Sequence, residues 1–140
     1  MKMKKTISIF IIAVMCLSLF SCAKNNAQAD LWEGATYTED MTFGTGEKVV
    51  EVEVIAQEKA VTFTINTDKE TLGEALLEHK LITGEQGAYG IYIKAVNGIT
   101  ADYDVDKSYW AVTKADEYMM TGVDSEKISG GEHYELTYTK

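Results

Sequence analysis

From Lys48 onward the chain alternates apolar and polar residues over most of its length. Val50, Val52 and Val54 interleave with Glu51 and Glu53, the period-two pattern of a strand with one buried face. Gln57-Glu58-Lys59 reads as a turn. Val61, Phe63 and Ile65, interleaved with Thr62 and Thr64, then complete a hairpin that Asn66-Thr67-Asp68 closes. The pattern changes once. Leu72, Ala75, Leu76 and Leu81 follow helical spacing, and Thr71 with Glu74 three residues on forms a capping box. This predicts a helix of about three turns, stopped before Gly84 and a Glu85-Gln86-Gly87 loop. Alternation returns at Ile91, Ile93 and Ala95. Asn97-Gly98 is a strong hairpin signal, with Ile99 to Tyr103 pairing back. A strand over Tyr109–Thr113, a turn at Lys114–Glu117 and a return through Tyr118-Met119-Met120 follow. Gly122–Gly131 is a loop, and Tyr134, Leu136 and Tyr138 alternate with His133, Glu135 and Thr137 in a last strand.

A hairpin, a single helix and further hairpins predict an α+β domain: a β-grasp-like mixed sheet with one helix packed on one face. One short helix covers one face, so the other is solvated or covered by something else. The strand at Tyr109-Trp110-Ala111-Val112 breaks the rule of one polar side. Tyr109 and Ala111 point one way, Trp110 and Val112 the other, and neither side is polar. With Tyr118, Met119 and Met120 close by, this predicts an uncovered apolar wall, the usual mark of a binding surface. Tyr109 and Trp110 are the expected stacking or edge contacts, with Tyr118 and Met119 completing the wall.

The N-terminus sets the expected location. Met1-Lys2-Met3-Lys4-Lys5 is basic, and Ile7–Phe20 is apolar but shorter than the roughly 20 residues of a membrane span. It ends in Leu19-Phe20-Ser21-Cys22, which resembles the lipobox of bacterial lipoproteins. The division expected is a signal peptide over 1–21, a tether and N-terminal arm over 22–47, and a ligand-binding domain over 48–140. The resemblance implies lipidation of Cys22 and anchoring to the cell membrane on its extracytoplasmic side. Cys16 leaves with the signal, so no thiol remains for a disulfide, a metal or a nucleophile. Whether the arm, with Leu31, Trp32, Tyr37, Met41 and Phe43, is ordered is open at this stage.

Charge narrows the partners. The formal net charge is −9, and every basic residue is a lysine. Nucleic acid is excluded as a partner by the lack of a basic face and of arginine forks. Asp102-Tyr103-Asp104-Val105-Asp106 opens like a calcium loop, but Lys107 stands where glycine is needed and Thr113 where the closing glutamate is needed. An acidic hairpin turn is the expectation there. His79 and His133 lack a metal partner in sequence, so no metal cofactor is expected. There is no nucleophile elbow and no phosphate loop, and the chain is not expected to be an enzyme.

The segment from Ile91 resembles the C-terminal β-domain of the vitamin B12 carriers transcobalamin and intrinsic factor. The shared features are Ile93-Lys94-Ala95-Val96-Asn97-Gly98, the Tyr109-Trp110 pair and Gly122-Val123. The stretch "TDKETLGEALLEHKLITGEQGAYGIY" and the upstream "LWEGATYTED" are similar to bacterial lipoproteins with transcobalamin-like C-terminal domains. The resemblance implies a β-grasp domain that holds one side of cobalamin or a related corrinoid. Tyr109, Trp110, Ala111 and Val112 would lie along that small-molecule ligand and Asp116–Thr121 would edge it. Val112 replaces a large aromatic of the carriers, and their α-barrel is missing from this chain. A single open face cannot bury the roughly 70–90% of a ligand that a closed site does. The resemblance therefore implies a half-clamp for capture or uptake, completed by a second binding domain or a membrane transporter. The competing reading is a protein-interaction module that docks a transporter or another envelope protein and binds no small molecule.

Overall fold

The computed structural model describes residues 28–140. The expected signal peptide and the expected lipidation at Cys22 lie outside the described residues. Among the described residues nine strands form two sheets, with one main helix, so the fold is α+β as expected. Among the described residues no helix is long and apolar enough to cross a membrane.

The valine-rich hairpin is formed by β2 (Lys48–Ala56) and β3 (Lys59–Thr67), preceded by the short β1 (Met41–Gly44). The helix α1 (Leu72–Glu78) follows, opened by the predicted Thr71/Glu74 capping box. It has seven residues, about two turns rather than three, because Lys80 at φ 55° turns the chain into the left-handed region just beyond it. Then come β4 (Ile82–Gly87), β5 (Gly90–Val96), β6 (Ile99–Thr100), a four-residue helix α2 (Tyr103–Asp106), β7 (Tyr109–Lys114), β8 (Glu117–Tyr118) and β9 (His133–Thr139).

The main sheet has the order β1-β3-β2-β9-β7-β8. The last strand, β9, runs parallel to β2 and antiparallel to β7, which is the β-grasp arrangement. The strands β4, β5 and β6 form a separate three-stranded sheet. Length explains why. A seven-residue helix spans roughly 10 Å, whereas nine-residue β2 and β3 span roughly 30 Å. The helix alone cannot cover the inner face of the main sheet, and the second sheet completes the cover. One core results: Val50, Val52, Val54, Phe63, Ile65, Tyr134 and Leu136 from the main sheet meet Leu72 and Leu76 of α1 and Ile82, Ile93, Val96 and Ile99 of the second sheet.

The N-terminal arm is ordered and packed. Trp32 sits in a 3-10 turn (Leu31–Gly34) capped by the Asp30 side chain, and its indole N–H donates to Ala56 O at 2.9 Å. Asn97 secures the arm from the far side. Its Oδ1 accepts from Tyr37 N at 2.9 Å and its Nδ2 donates to Tyr37 O at 2.8 Å. Asn97 and Gly98 have φ of 51° and 80°, the left-handed pair that a two-residue hairpin turn needs. The expected acidic hairpin turn at Asp102–Asp106 is instead α2. Asp102 caps it by accepting from Asp104 N and Val105 N, and Lys107 leaves it at φ 66°.

Candidate functional site

Two surfaces carry side chains that could do chemistry or bind. The first is the end of the main sheet where the apolar wall was expected. The five predicted contacts are all on or beside β7 and β8, but they divide between its two faces. Trp110 pairs with Tyr138 and Val112 with Leu136, so both point inward. Trp110 is only 6% exposed, donates to Ile99 O at 3.2 Å and stands edge-to-face on Tyr138. The expectation that its indole lies on an open wall is therefore corrected. It is a core residue roofed by the second sheet, because β6 brings a carbonyl acceptor over it. Tyr109 pairs with Thr139 and lies on the outer face, partly exposed and edge-to-face with Tyr103.

Beyond Val112 the chain opens out. Ala115 and Asp116 both take positive φ, turning β7 into β8. Tyr118 pairs with Thr113 and is 75% exposed. Met119 N donates to Val112 O, and both side chains rest half-buried against the core. Met120 follows at 96% exposure. The tip of the β4–β5 hairpin lies alongside, with the backbone of Gly122 close to Tyr89 O and Tyr89 95% exposed. Asp124 ties the two segments together by accepting from Ile91 N at 3.1 Å and Gln86 Nε2 at 3.4 Å. Apolar surface is thus left uncovered, at a rim between the two sheets rather than across a sheet face.

The second surface is the outer face of the main sheet, and it is polar. Glu51 and Glu53 of β2 sit opposite His133 and Glu135 of β9 in parallel register. His133 Nδ1 is 3.3 Å from Glu51 Oε2; its Nε2 is 3.4 Å from Glu53 Oε2 and 3.9 Å from Glu135 Oε1. The other carboxylate oxygen of Glu135 accepts from Thr113 Oγ1 at 2.9 Å. Glu135 is two positions from His133 in the sequence, but Glu51 and Glu53 come from β2 and join the group only through strand pairing. The signal that could have found the group is the pair of dipeptide steps Glu51-x-Glu53 and His133-x-Glu135, each placing two donors on one strand face. His79 is elsewhere, tilted against the Phe43 ring at 5.3 Å.

Nearby ionisable groups serve the fold. The Tyr134 hydroxyl donates to Glu126 Oε1, which also pairs with Lys114 Nζ. Burial first, and the bonded Glu126 second, push the phenol well above its ordinary value. At the chain end, the Ser108 hydroxyl and then Lys140 hold the Asp106 carboxyl down to about 2.

Fold and surfaces together define a small α+β domain of β-grasp type. A crystal structure of a candidate metal binding protein from Ruminococcus gnavus ATCC 29149 is 37% identical, with TM-score 0.64; the match covers 67% of this chain and 98% of that one. The chain belongs to the same family as that protein. Haptocorrin in complex with Cbi is 21% identical with TM-score 0.51, over 70% of this chain and 26% of haptocorrin, a likeness of fold. This chain thus corresponds to about a quarter of haptocorrin. No protein-family model matches the sequence, and no curated protein matches it.

Proposed function

We propose that the chain is a non-catalytic capture domain, held at the cell membrane by lipid on Cys22, that presents one side of a site for a corrinoid or a similar flat cofactor. The observation that carries this reading is the exposed apolar group at the β7–β8 turn and the β4–β5 tip, where Tyr118 on the outer side, Met120 and Tyr89 reach into water and Val112 and Met119 are half-buried on the inner side. Desolvating such side chains favours contact by roughly 25 cal/mol per Å², and their place at the edge leaves room for a second wall. The fold likeness to haptocorrin, solved with Cbi, supports the ligand class. Tyr109 and Trp110 take different parts from those expected. Tyr109 flanks the strand from outside, and Trp110 braces Val112 from within the core.

Titration of the purified full chain with cobalamin, followed by calorimetry, tests this. Saturable binding is expected, weakened at least tenfold by Tyr118→Ala combined with Met119→Ala. Trp110→Phe should leave affinity unchanged while lowering stability by about 1–2 kcal/mol, since Ile99 O loses its donor. No saturation with cobalamin would remove the corrinoid reading and leave the docking module, for which the same rim would meet a protein.

A second reading is that the domain binds a metal ion. It is favoured by Glu53, His133 and Glu135, whose ligand atoms all lie within 4.8 Å of one another, and by the candidate metal-binding role of the Ruminococcus gnavus relative.

A further inference from the structure

The outer face of the main sheet poses an electrostatic problem. Glu51, Glu53 and Glu135 surround one imidazole, and among the described residues no lysine pairs with any of the three. If the His133 Nδ1–H donates to Glu51, the Nε2 lone pair faces the Glu53 and Glu135 carboxylates. Two anions and a lone pair then converge on one point. An imidazole nitrogen and two carboxylates gathered on one sheet face are the donor set that a cation uses.

We infer that this point is a three-ligand site for a first-row divalent transition ion, bound by His133 Nε2, Glu53 and Glu135. This rests on the metal-binding reading of those three residues and assigns the ion class and the supporting contacts. The spacing fits. Ligand bonds of about 2.0–2.2 Å in a tetrahedral shell place donor atoms about 3.3 Å apart, and the two imidazole–carboxylate separations are 3.4 and 3.9 Å. An imidazole donor selects zinc, cobalt, nickel or copper over calcium or magnesium, which take oxygen shells.

Outer contacts complete the arrangement. Glu51 on Nδ1 fixes the ring orientation and tautomer, and Thr113 Oγ1 on Glu135 fixes a carboxylate, the two supports that ligating groups ordinarily have. Two adjacent strands in fixed register hold the donors, so the site is preformed. Because the side chains are partly exposed, at least one coordination position opens to solvent. An exogenous donor, such as water, an anion or a side chain of another molecule, would fill it.

Binding of Co(II) and Zn(II) to the purified full chain tests this, by visible absorption for cobalt and calorimetry for zinc. One equivalent per chain is expected, with calcium unable to compete at equal concentration. His133→Gln and Glu53→Gln should each weaken binding tenfold or more, and Thr113→Val several-fold. All three side chains are on the solvent side of the sheet, so circular dichroism should show an unchanged fold. One-equivalent binding that survives both ligand substitutions would place the ion elsewhere and overturn this site while leaving the metal-binding reading in force. No binding of either ion would remove both. Calcium displacing zinc would overturn the ion class.

Discussion

The two faces of β2 and β9 are built from alternate residues of the same strands, yet they do opposite work. Inward, Val52 and Val54 meet Tyr134 and Leu136 with no exposed surface. Outward, the interleaved Glu51 and Glu53 meet His133 and Glu135 and remain partly in water. Backbone geometry is shared, so the difference comes from what lies opposite. The inner face is roofed by α1 and the second sheet and gains from burial. Among the described residues nothing roofs the outer face, which keeps its charges hydrated and accumulates carboxylates around a single imidazole. Stability resides on one side of the sheet, and the proposed binding chemistry lies on the other or at the rim.

The largest expected effect that sharpens this contrast is Phe63→Ala. Phe63 is fully buried and stands edge-to-face with Tyr37 and Phe43, so about 3–5 kcal/mol should be lost in denaturant unfolding. Next comes Tyr134→Phe, which removes the bond to Glu126 and should cost about 1 kcal/mol at neutral pH, because Lys114 still satisfies that carboxylate. This residue also gives the inner face an alkaline signature. Folding raises the Tyr134 phenol above its ordinary 10.0, so its contribution is intact below that value. As pH rises beyond it the unfolded chain releases the proton first and the contribution is lost. Stability curves of the parent and Tyr134→Phe should therefore converge above pH 10. Smallest is Glu53→Gln on the outer face, expected to shift stability by under about 0.5 kcal/mol in either direction. A loss like that of Phe63→Ala at Glu53 would break the division between the faces.

Much of the scaffold was readable without coordinates. Alternation located β2, β3, β5 and β9, the Thr71/Glu74 box opened α1, and Asn97-Gly98 turned where expected, because each signal depends on residues only a few positions apart. The site was read less well. Tyr109-Trp110-Ala111-Val112 is apolar on both sides, so nothing local says which side is roofed, and Trp110 was assigned to the open wall. The separate β4–β6 sheet decides that it is buried. At the β7–β8 turn Tyr118 and Met120 are exposed and Met119 is half-buried, so the apolar side chains there do not form the continuous wall expected.

The sequence by itself therefore determined the strands, the helix start, the tight turns and the one-sided polarity of β2 and β9, since period and turn chemistry act over single residues and their near neighbours. Only the tertiary structure decided which face each strand turns inward, how the short helix is supplemented, and that Glu53 meets His133. Those outcomes depend on pairing between strands far apart in the chain, where register and coverage are settled by burying the whole core at once.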